Sequence, residues 1–139
     1  MGAGLIIRLV SDFKMEDKKE LGKKGEDFAC KFLEKNGYQI IKRNYRNRVG
    51  EIDIIAREKD DMVFVEIKTK VSKDFSNPEL SVNTSKQKRI IKTALFYLME
   101  KKIKNTGCRF DVIGITGEKS ERKVNLIKNA FTADGRYTY

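Results

Sequence analysis

Two strand-like runs decide the fold of this chain: GEIDIIA at residues 50–56 and VFVEIKTK at residues 63–70. Only a short polar turn separates them, so together they predict a β-hairpin. Glu51 and Asp53 are two residues apart and therefore share one face of a strand, and Glu66 and Lys68 do the same. Burying charge is costly unless the charge is paired or holds a metal. The hairpin thus predicts either a structural ion cluster or a metal-dependent active site.

A two-residue turn at Lys59-Asp60 would set the register of this hairpin. Asp53 would then lie opposite Glu66, and Glu51 opposite Lys68. Directly opposed side chains have Cβ atoms ~4.5–5.5 Å apart, so two carboxylates in that position destabilise the sheet. The other face is wholly apolar and is predicted to be core; it carries Ile52, Ile54, Ala56, Val63, Val65 and Ile67.

A divalent cation between Asp53 and Glu66 would remove their repulsion, and the carbonyl of Ile67 offers an additional oxygen ligand. Lys68 would then lie beside the metal, where it positions or deprotonates water or stabilises charge that develops on a phosphate. In the alternative interpretation, the charged residues form a cross-strand salt-bridge cluster without metal.

The composition narrows the class of function. The 139 residues suffice for one domain with a core, and 30 Lys and Arg against 20 Asp and Glu give a formal charge of +10. That surplus favours a polyanionic partner, most often nucleic acid, although many small basic proteins have no such partner. No run is long enough to span a membrane. No basic amphipathic helix is obvious, so a membrane-surface or protein-interaction module is the least favoured alternative and no membrane partner is expected. The sequence has no His, which excludes His-dependent triads and zinc sites and leaves oxygen ligands, the kind that favour Mg²⁺ or Mn²⁺.

Two further features concern the compartment and the domain bounds. Cys30 and Cys108 belong to no CxxC motif, which is typical of ordinary thiols in a reducing cytoplasm. Residues 1–14 read as a loosely ordered N-terminal extension before a more ordinary start at Met15, and residues 15–139 as a single domain.

Hydrophobic periodicity predicts an α/β fold of order α-β-β-β-α-β-β, with a mixed central sheet of about five strands flanked by helices. The second helix should be N-capped by Thr84 or Ser85. The predicted elements are the helix Lys18–Asn36 closed by Gly37, the strand Tyr38–Arg46, the hairpin Gly50–Lys70, a loop Val71–Thr84, the helix Ser85–Lys104, and the strands Arg109–Thr116 and Lys123–Lys128.

Two helix residues could join the hairpin. Glu26 falls at the edge of the apolar stripe of the first helix, where it either flanks the surface or reaches the site. Gln87 occupies the centre of the apolar stripe of the second helix and needs a polar partner, either substrate, the hairpin carboxylates or a cap-region hydrogen bond.

Basic residues supply candidate contacts to nucleic acid. Lys86, Lys88 and Arg89 crowd the first turn of the second helix, where cations oppose the helix dipole and a phosphate would resolve the conflict. Arg46 and Arg48 flank the start of the hairpin beside Tyr45, an aromatic suited to base stacking. Asp111 is interpreted as structural, paired with a neighbouring Arg or Lys.

At these residues the sequence resembles the YraN family of small uncharacterised proteins. The resemblance runs from about Leu21 to Phe131 and rests on several motifs in order: Gly25-Glu26 followed by Ala29, Asn44-Tyr45-Arg46, Gly50-Glu51-Ile52-Asp53, Phe64-Val65-Glu66-Ile67-Lys68-Thr69-Lys70, Lys86 with Lys88, Arg109-Phe110-Asp111-Val112 and Asn129-Ala130-Phe131.

That family is placed in the PD-(D/E)XK nuclease-like superfamily, near archaeal Holliday-junction resolvases. The resemblance implies a restriction-endonuclease-like, three-layer core, with Asp53 as the motif aspartate, Glu66 and Lys68 as the E-x-K pair, and Glu26 as the helix-borne acid. Ile52 stands where the superfamily name has proline, a position with no chemical role.

The sequence therefore predicts a Mg²⁺- or Mn²⁺-dependent endonuclease acting on branched or single-stranded DNA. Asp53 and Glu66 would bind metal with help from Glu26 or Glu51, Lys68 would position water, and the basic residues would hold backbone phosphates. The alternative is a non-catalytic nucleic-acid-binding protein that keeps the fold. A junction-cutting enzyme would need two active sites and hence a homodimer.

Overall fold

A mixed β-sheet with one helix on each face organises the chain. The computed structural model describes residues 6–9, 18–70, 82–117 and 122–133. Within these residues the elements are β1 (Ile6–Leu9), α1 (Lys18–Lys35), β2 (Gln39–Arg46), β3 (Glu51–Glu58), β4 (Asp61–Lys70), α2 (Thr84–Glu100), β5 (Gly107–Thr116) and β6 (Arg122–Phe131). The six strands lie in the order β1-β6-β5-β4-β3-β2. Only β4 and β5 pair in parallel, so the predicted mixed sheet is confirmed.

The predicted element order, α-β-β-β-α-β-β, is confirmed from α1 to β6. The structure adds β1, which pairs with β6 at the edge of the sheet and comes from the segment expected to be a loosely ordered extension. The other residues of that extension, and residues 71–81 of the predicted loop, lie outside the described residues.

Both ends of α2 differ from the prediction. Its N-cap is Asn83, whose side chain accepts a hydrogen bond from the Lys86 N–H at 2.8 Å. The prediction of Thr84 or Ser85 was therefore wrong, because the cap lies just before both residues. The helix ends at Glu100 because Lys102 adopts a left-handed φ of +56°. Glycine is the usual residue at such a helix end, and a lysine there gives no signal in the sequence.

The hairpin turn is at Lys59-Asp60, as predicted, and Lys59 has a left-handed φ of +54°. The register is also as predicted, with Ile55 opposite Phe64. One face of the hairpin packs against α1 through the core that includes Ile54, Ala56, Val63, Val65, Ala29, Phe32 and Leu33. The opposite face packs against α2 through Ile55, Phe64, Ile90, Ile91, Ala94 and Tyr97. These two cores on the two faces of one sheet confirm the three-layer architecture.

Ile52 is the exception on the apolar face. It joins the core on the α2 side together with Ile55, so the prediction that it shares a face with Ile54 was wrong. The pairing of β3 with β4 runs from Glu58 and Asp61 only as far as Ile54 and Val65. Beyond that point β3 stays paired with β2 alone. Side chains no longer alternate strictly between the two faces of the sheet at Asp53, the residue between Ile52 and Ile54.

Two smaller observations complete the fold. Cys30 and Cys108 are both free thiols, as expected. In the part of the chain that the structure describes, neither helix is long and apolar enough to cross a membrane.

Candidate active site

Asp53 and Glu66 bring two carboxyl groups together where β3 and β4 separate. Glu66 is only 8% exposed. The Asp53 Oδ2 accepts a hydrogen bond from the Ile67 N–H at 2.8 Å, which places this side chain in the gap that the separating strands leave. The register argument from the sequence thus placed the two carboxylates correctly on facing strands.

Their proximity perturbs the acidity of Asp53. Burial, and then the negative charge of Glu66, raise the pKa of Asp53 to about 7, although the Ile67 N–H and the Lys86 ammonium act in the opposite direction. Two carboxylates that share a site cannot both ionise freely, so the pair retains a proton near neutral pH unless a cation joins it.

The backbone of Ile67 faces the same gap. In a β-strand the N–H and the C=O of one residue point to the same neighbouring strand. Because the Ile67 N–H reaches Asp53, its carbonyl is directed to the same side of β4. Two carboxylates and one backbone carbonyl therefore converge at the end of the β3–β4 ladder.

Lys86 occupies a position that the sequence did not predict. Its ammonium reaches from the first turn of α2 and forms an ion pair with the Oε2 of Glu66. We expected this lysine to hold a phosphate, whereas the structure places it at the carboxylate pair. The Lys86 side chain is nonetheless 49% exposed, so it can also face solvent or a ligand.

Lys68 follows Glu66 by two residues on the same face of β4 and is half-buried. Its predicted partner lies elsewhere, because the register places Glu51 opposite Arg46 of β2 and the two form an exposed ion pair at 2.9 Å. The prediction that Glu51 faces Lys68 was therefore wrong: β3 has already left β4 at this point.

Glu26 is held by β2. Its Oε1 accepts hydrogen bonds from Arg43 Nε at 2.9 Å and from Asn44 Nδ2 at 2.8 Å. The helix-borne acid thus forms an ion pair on the flank of the sheet. Among the described residues, no three carboxylate or cysteine side chains gather closely enough to hold a metal ion. The acidic side chains that the structure describes at this centre are therefore a pair and not a larger cluster.

A basic groove adjoins the carboxylate pair. The cavity has a volume of about 590 Å³ and lies between the β2–β3 turn and the first half of α2, with Lys86 common to the groove and the pair. It is lined by Arg46, Asn47, Val49, Gly50, Glu51, Lys86, Arg89 and Ile90.

The β2–β3 turn is held tightly against α2. Asn47 accepts hydrogen bonds from the N–H groups of Val49 and Gly50 at 2.9 and 3.2 Å and donates to the Thr93 carbonyl at 3.3 Å. A Cβ on Gly50 would lie 2.8 Å from Thr93 Oγ1 and 3.1 Å from Arg89 Cγ. Glycine at position 50 therefore allows the β2–β3 turn to approach α2 closely, and this packing holds the wall of the groove in place.

The other predicted contacts to nucleic acid are distributed as follows. Arg46 and Arg89 line the groove, and Lys88 is exposed on α2. Gln87 donates to the Val82 carbonyl at 2.7 Å, which selects the cap-region hydrogen bond among its three interpretations. The guanidinium of Arg48 lies 5.5 Å from the centre of the Phe96 ring.

The aromatic residue near these cations is Phe96 and not Tyr45. Tyr45 is buried, with its ring 5.1 Å from that of Tyr97, so the prediction that it stacks on bases was wrong. Phe96 was missed because the helical pattern gives no sign that a residue of the turn, Arg48, lies over it.

A second charged cluster lies at the opposite end of β3. Arg109 donates to Asp111 Oδ1 at 2.9 Å and to Glu58 Oε1 at 2.7 Å, and Lys128 donates to Glu58 Oε2 at 2.8 Å. Tyr38 donates to Asp111 Oδ2 at 2.7 Å. Burial alone would raise the pKa of Glu58, but the hydrogen bonds from Lys128 and Arg109 outweigh it and lower the pKa. The interpretation of Asp111 as a structural acid paired with Arg is confirmed.

Comparison with known proteins places the carboxylate pair within one family match. The model of an uncharacterised protein family, UPF0102, matches residues 25–115. That span includes Asp53, Glu66, Lys68 and Lys86.

Individual relatives match over most of their length. The chain is 44% identical to a UPF0102 protein of Syntrophus aciditrophicus over 119 residues, which cover 86% of this chain and 94% of that protein. It is 43% identical to a UPF0102 protein of Desulforapulum autotrophicum over 121 residues, 86% of this chain and 100% of that protein. It is 45% identical to a UPF0102 protein of Persephonella marina over 113 residues, 81% of this chain and 94% of that protein.

Proposed function

The chain belongs to the UPF0102 (YraN) family, and from the geometry of its site we propose that it is a Mg²⁺- or Mn²⁺-dependent endonuclease that hydrolyses phosphodiester bonds in nucleic acid. DNA, branched or single-stranded, is the expected polymer. The observation that carries the proposal is the pairing of Asp53 with Glu66 at a largely desolvated position: burial, and then the charge of Glu66, raise the pKa of Asp53 to about 7. Strongly perturbed acids in a cleft are a mark of functional sites.

The donor set suits a hard divalent cation. Asp53, Glu66 and the carbonyl of Ile67 provide oxygen atoms from adjacent strands, and Mg²⁺ typically binds one or two carboxylates and keeps several waters. A pair of acids without a third, as found in the described part of the chain, is consistent with that preference. When bound, the metal would supply Lewis-acid stabilisation of charge on the phosphate.

The remaining residues have separate roles in this proposal. Lys68 orients the attacking water and offsets negative charge at the scissile phosphate. Arg46, Lys86 and Arg89 line the groove that leads to the pair and hold the flanking backbone phosphates. Lys88 and Arg48 extend the same basic surface over α2 and the β2–β3 turn. Contacts to backbone phosphates would account for the excess of cationic side chains beside the two acids.

The test is metal-dependent cleavage by the wild type and two matched variants. Asp53→Asn removes one carboxylate of the pair, and Asp60→Asn makes the same change at the exposed turn of the same hairpin. On a panel of single-stranded, duplex, flap and four-way-junction DNA and RNA with Mn²⁺, wild type and Asp60→Asn should cleave. Asp53→Asn should lose ~100-fold or more, the scale of losing one charge-stabilising group. Equal residual activity in wild type and Asp53→Asn on every substrate would reject the proposal.

A non-catalytic nucleic-acid binder is the second candidate, and one observation favours it. Lys86 already supplies a positive charge to Glu66, so the site has an internal cation. This function predicts binding that weakens steeply with salt and is unchanged by EDTA, in wild type and Asp53→Asn alike. Metal-dependent turnover by the wild type excludes it.

The oligomeric state and the cellular location are further parts of the proposal. Symmetric cleavage of a junction requires two sites, so we infer a homodimer if the four-way junction is the preferred substrate of the panel. The two free thiols fit a cytoplasmic location, where the reducing environment maintains them.

A further inference from the structure

Asn125 carries a buried polar atom that the fold does not satisfy. Its Oδ1 is shielded from solvent and has no hydrogen-bond partner among the described residues. Buried polar groups in native proteins are nearly always paired, and leaving an acceptor unpaired destabilises the folded state. An orphan acceptor of this kind therefore requires an explanation, which its place in the sheet supplies.

Asn125 lies in one cross-strand row with the lysine of the candidate active site. The register pairs Asn125 of β6 with Gly114 of β5, and Gly114 with Lys68 of β4. Neighbouring strands lie ~4.8 Å apart, so the Cα atoms of Lys68 and Asn125 are ~9.6 Å apart across the row.

The two side chains point to the same face of the sheet. The neighbours of Asn125 along β6, Val124 and Leu126, belong to the core on the α1 side, so Asn125 itself faces the α2 side. Glu66 is paired in register with Val112, a member of the core on the α2 side, and Lys68 shares that face with Glu66. Asn125 and the carboxylate pair are thus on one surface.

Gly114 makes the contact across the row sterically open. It is buried and has no side chain, so nothing of the intervening strand stands above the sheet between the other two residues. A lysine side chain carries three N–H donors at the end of a long flexible stem, and an asparagine carbonyl accepts. One ammonium N–H can therefore reach Asn125 whatever other partner Lys68 has.

We propose that Asn125 is a positioning residue: its Oδ1 accepts a hydrogen bond from the Lys68 ammonium across Gly114 and holds that ammonium over the site. The role of Lys68 at the phosphate rests on the proposed nuclease function, but the contact between Lys68 and Asn125 does not. The row extends the candidate site from β3 and β4 to β6, a strand on which no site residue was predicted.

The test compares Asn125→Leu, which keeps the volume and removes the acceptor, with Asn125→Asp, which keeps an acceptor of the same size. Three measurements are made on each full-length variant: the melting temperature, the rate of acetylation of Lys68 relative to the exposed Lys92 in metal-free protein, and the kcat and KM of Mn²⁺-dependent cleavage.

The expected result is specific to positioning. Asn125→Leu should melt close to the wild-type temperature, because the acceptor is lost together with its hydrogen bond and the half-buried Lys68 ammonium can be hydrated instead. Its Lys68 should be acetylated several-fold faster relative to Lys92, and its kcat should fall by ~10-fold at unchanged KM, the usual scale for an outer partner of a site. Asn125→Asp should restore both the protection of Lys68 and the kcat.

A lower melting temperature in Asn125→Leu with unchanged Lys68 acetylation would overturn the proposal and leave Asn125 as a structural residue. If the wild type cleaves nothing, the nuclease function fails while acetylation and melting still decide the contact. The two failures are thus distinguishable.

Discussion

Asp53 and Glu58 lie toward opposite ends of strand β3, and their pKa values are shifted in opposite directions. At one end Glu58 is bonded to both Arg109 and Lys128, and these hydrogen bonds lower its pKa. At the other end Asp53 is half-buried beside Glu66, and burial and the negative charge of Glu66 raise its pKa. The first cluster shows how this fold pairs a buried acid when only stability is at stake.

The two clusters differ in how their acids are paired. Around Glu58 the acids and the cations alternate, and each buried carboxylate has a cation within hydrogen-bonding distance. At the Asp53 site the carboxyl groups face each other, and the ion pair from Lys86 goes to Glu66. The fold thus pairs its acids with cations at one end of β3 and retains repulsion between acids at the other end, which supports the proposed cation site.

The largest expected effect comes from breaking the balanced cluster. Arg109→Met would leave Glu58 and Asp111, which is fully buried, without their shared cation. Removing one partner of a buried ion pair costs about 3–5 kcal/mol, and we expect that loss in the free energy of unfolding measured with urea. Asp53→Asn should instead stabilise the metal-free protein at neutral pH. If both changes destabilise equally, the two ends do not differ in the way described.

The second effect is the pH dependence of stability without metal. Since the folded-state pKa of Asp53 is raised to about 7, the folded protein holds a proton between about pH 4 and pH 7 that the unfolded chain has released. The free energy of unfolding should therefore fall as the pH rises through that window, by on the order of 4 kcal/mol for a shift of about three pKa units. Glu58 acts in a lower window with the opposite sign, since its stabilisation is lost as the pH falls through its lowered pKa.

Urea titrations from pH 3 to pH 8 in EDTA measure both slopes. Asp53→Asn should remove the decline between pH 4 and pH 7, whereas the matched Asp60→Asn should keep it. A wild-type profile that is flat over that window would show that Asp53 is not perturbed.

The two ends of β3 also show which features of the fold could be predicted from the sequence. Hairpin periodicity and a two-residue turn are local, so the register that opposes Asp53 and Glu66 could be predicted from residues 50–70 alone. The point at which β3 leaves β4 could not, because it depends on how β2 continues to pair with β3 past Ile54. That separation is why Ile52 changes sides and why Glu51 pairs with Arg46.

Interaction partners that lie in distant segments of the chain could not be predicted from the sequence either. Glu26 sits at the edge of its helical stripe as the periodicity indicates, but its partner Arg43 is set by the packing of α1 against β2. Lys86 reaches Glu66 because α2 begins above β4, and its charge gave no indication of whether it would meet an acid or a phosphate. For Glu26 and Lys86 the sequence pattern predicted the position on the helix, whereas tertiary packing selected the partner.

The smallest of the three effects concerns exchange of the cation. Arg109 presents a rigid fork of donors to two acids and is mostly buried, whereas Lys86 is a single point charge on a flexible, half-exposed stem. Lys86 is therefore the cation that a divalent metal could displace. Lys86→Met should tighten Mn²⁺ binding to the free protein by ~10-fold, or about 1.4 kcal/mol, because Glu66 no longer has a competing ammonium.

The matched control is Lys88→Met, which removes the same charge from an exposed position two residues along α2. Long-range electrostatics would change both variants alike, whereas displacement at Glu66 changes only Lys86→Met. Free Mn²⁺ measured by electron paramagnetic resonance distinguishes the two cases. Equal affinities in the two variants would mean that Lys86 does not compete at the pair, and weaker binding in Lys86→Met would mean that it helps to hold the metal. Competition by Lys86 would establish that the same acid pair that repels itself in the metal-free protein exchanges one cation for another, a change that the Arg109 cluster is built to prevent.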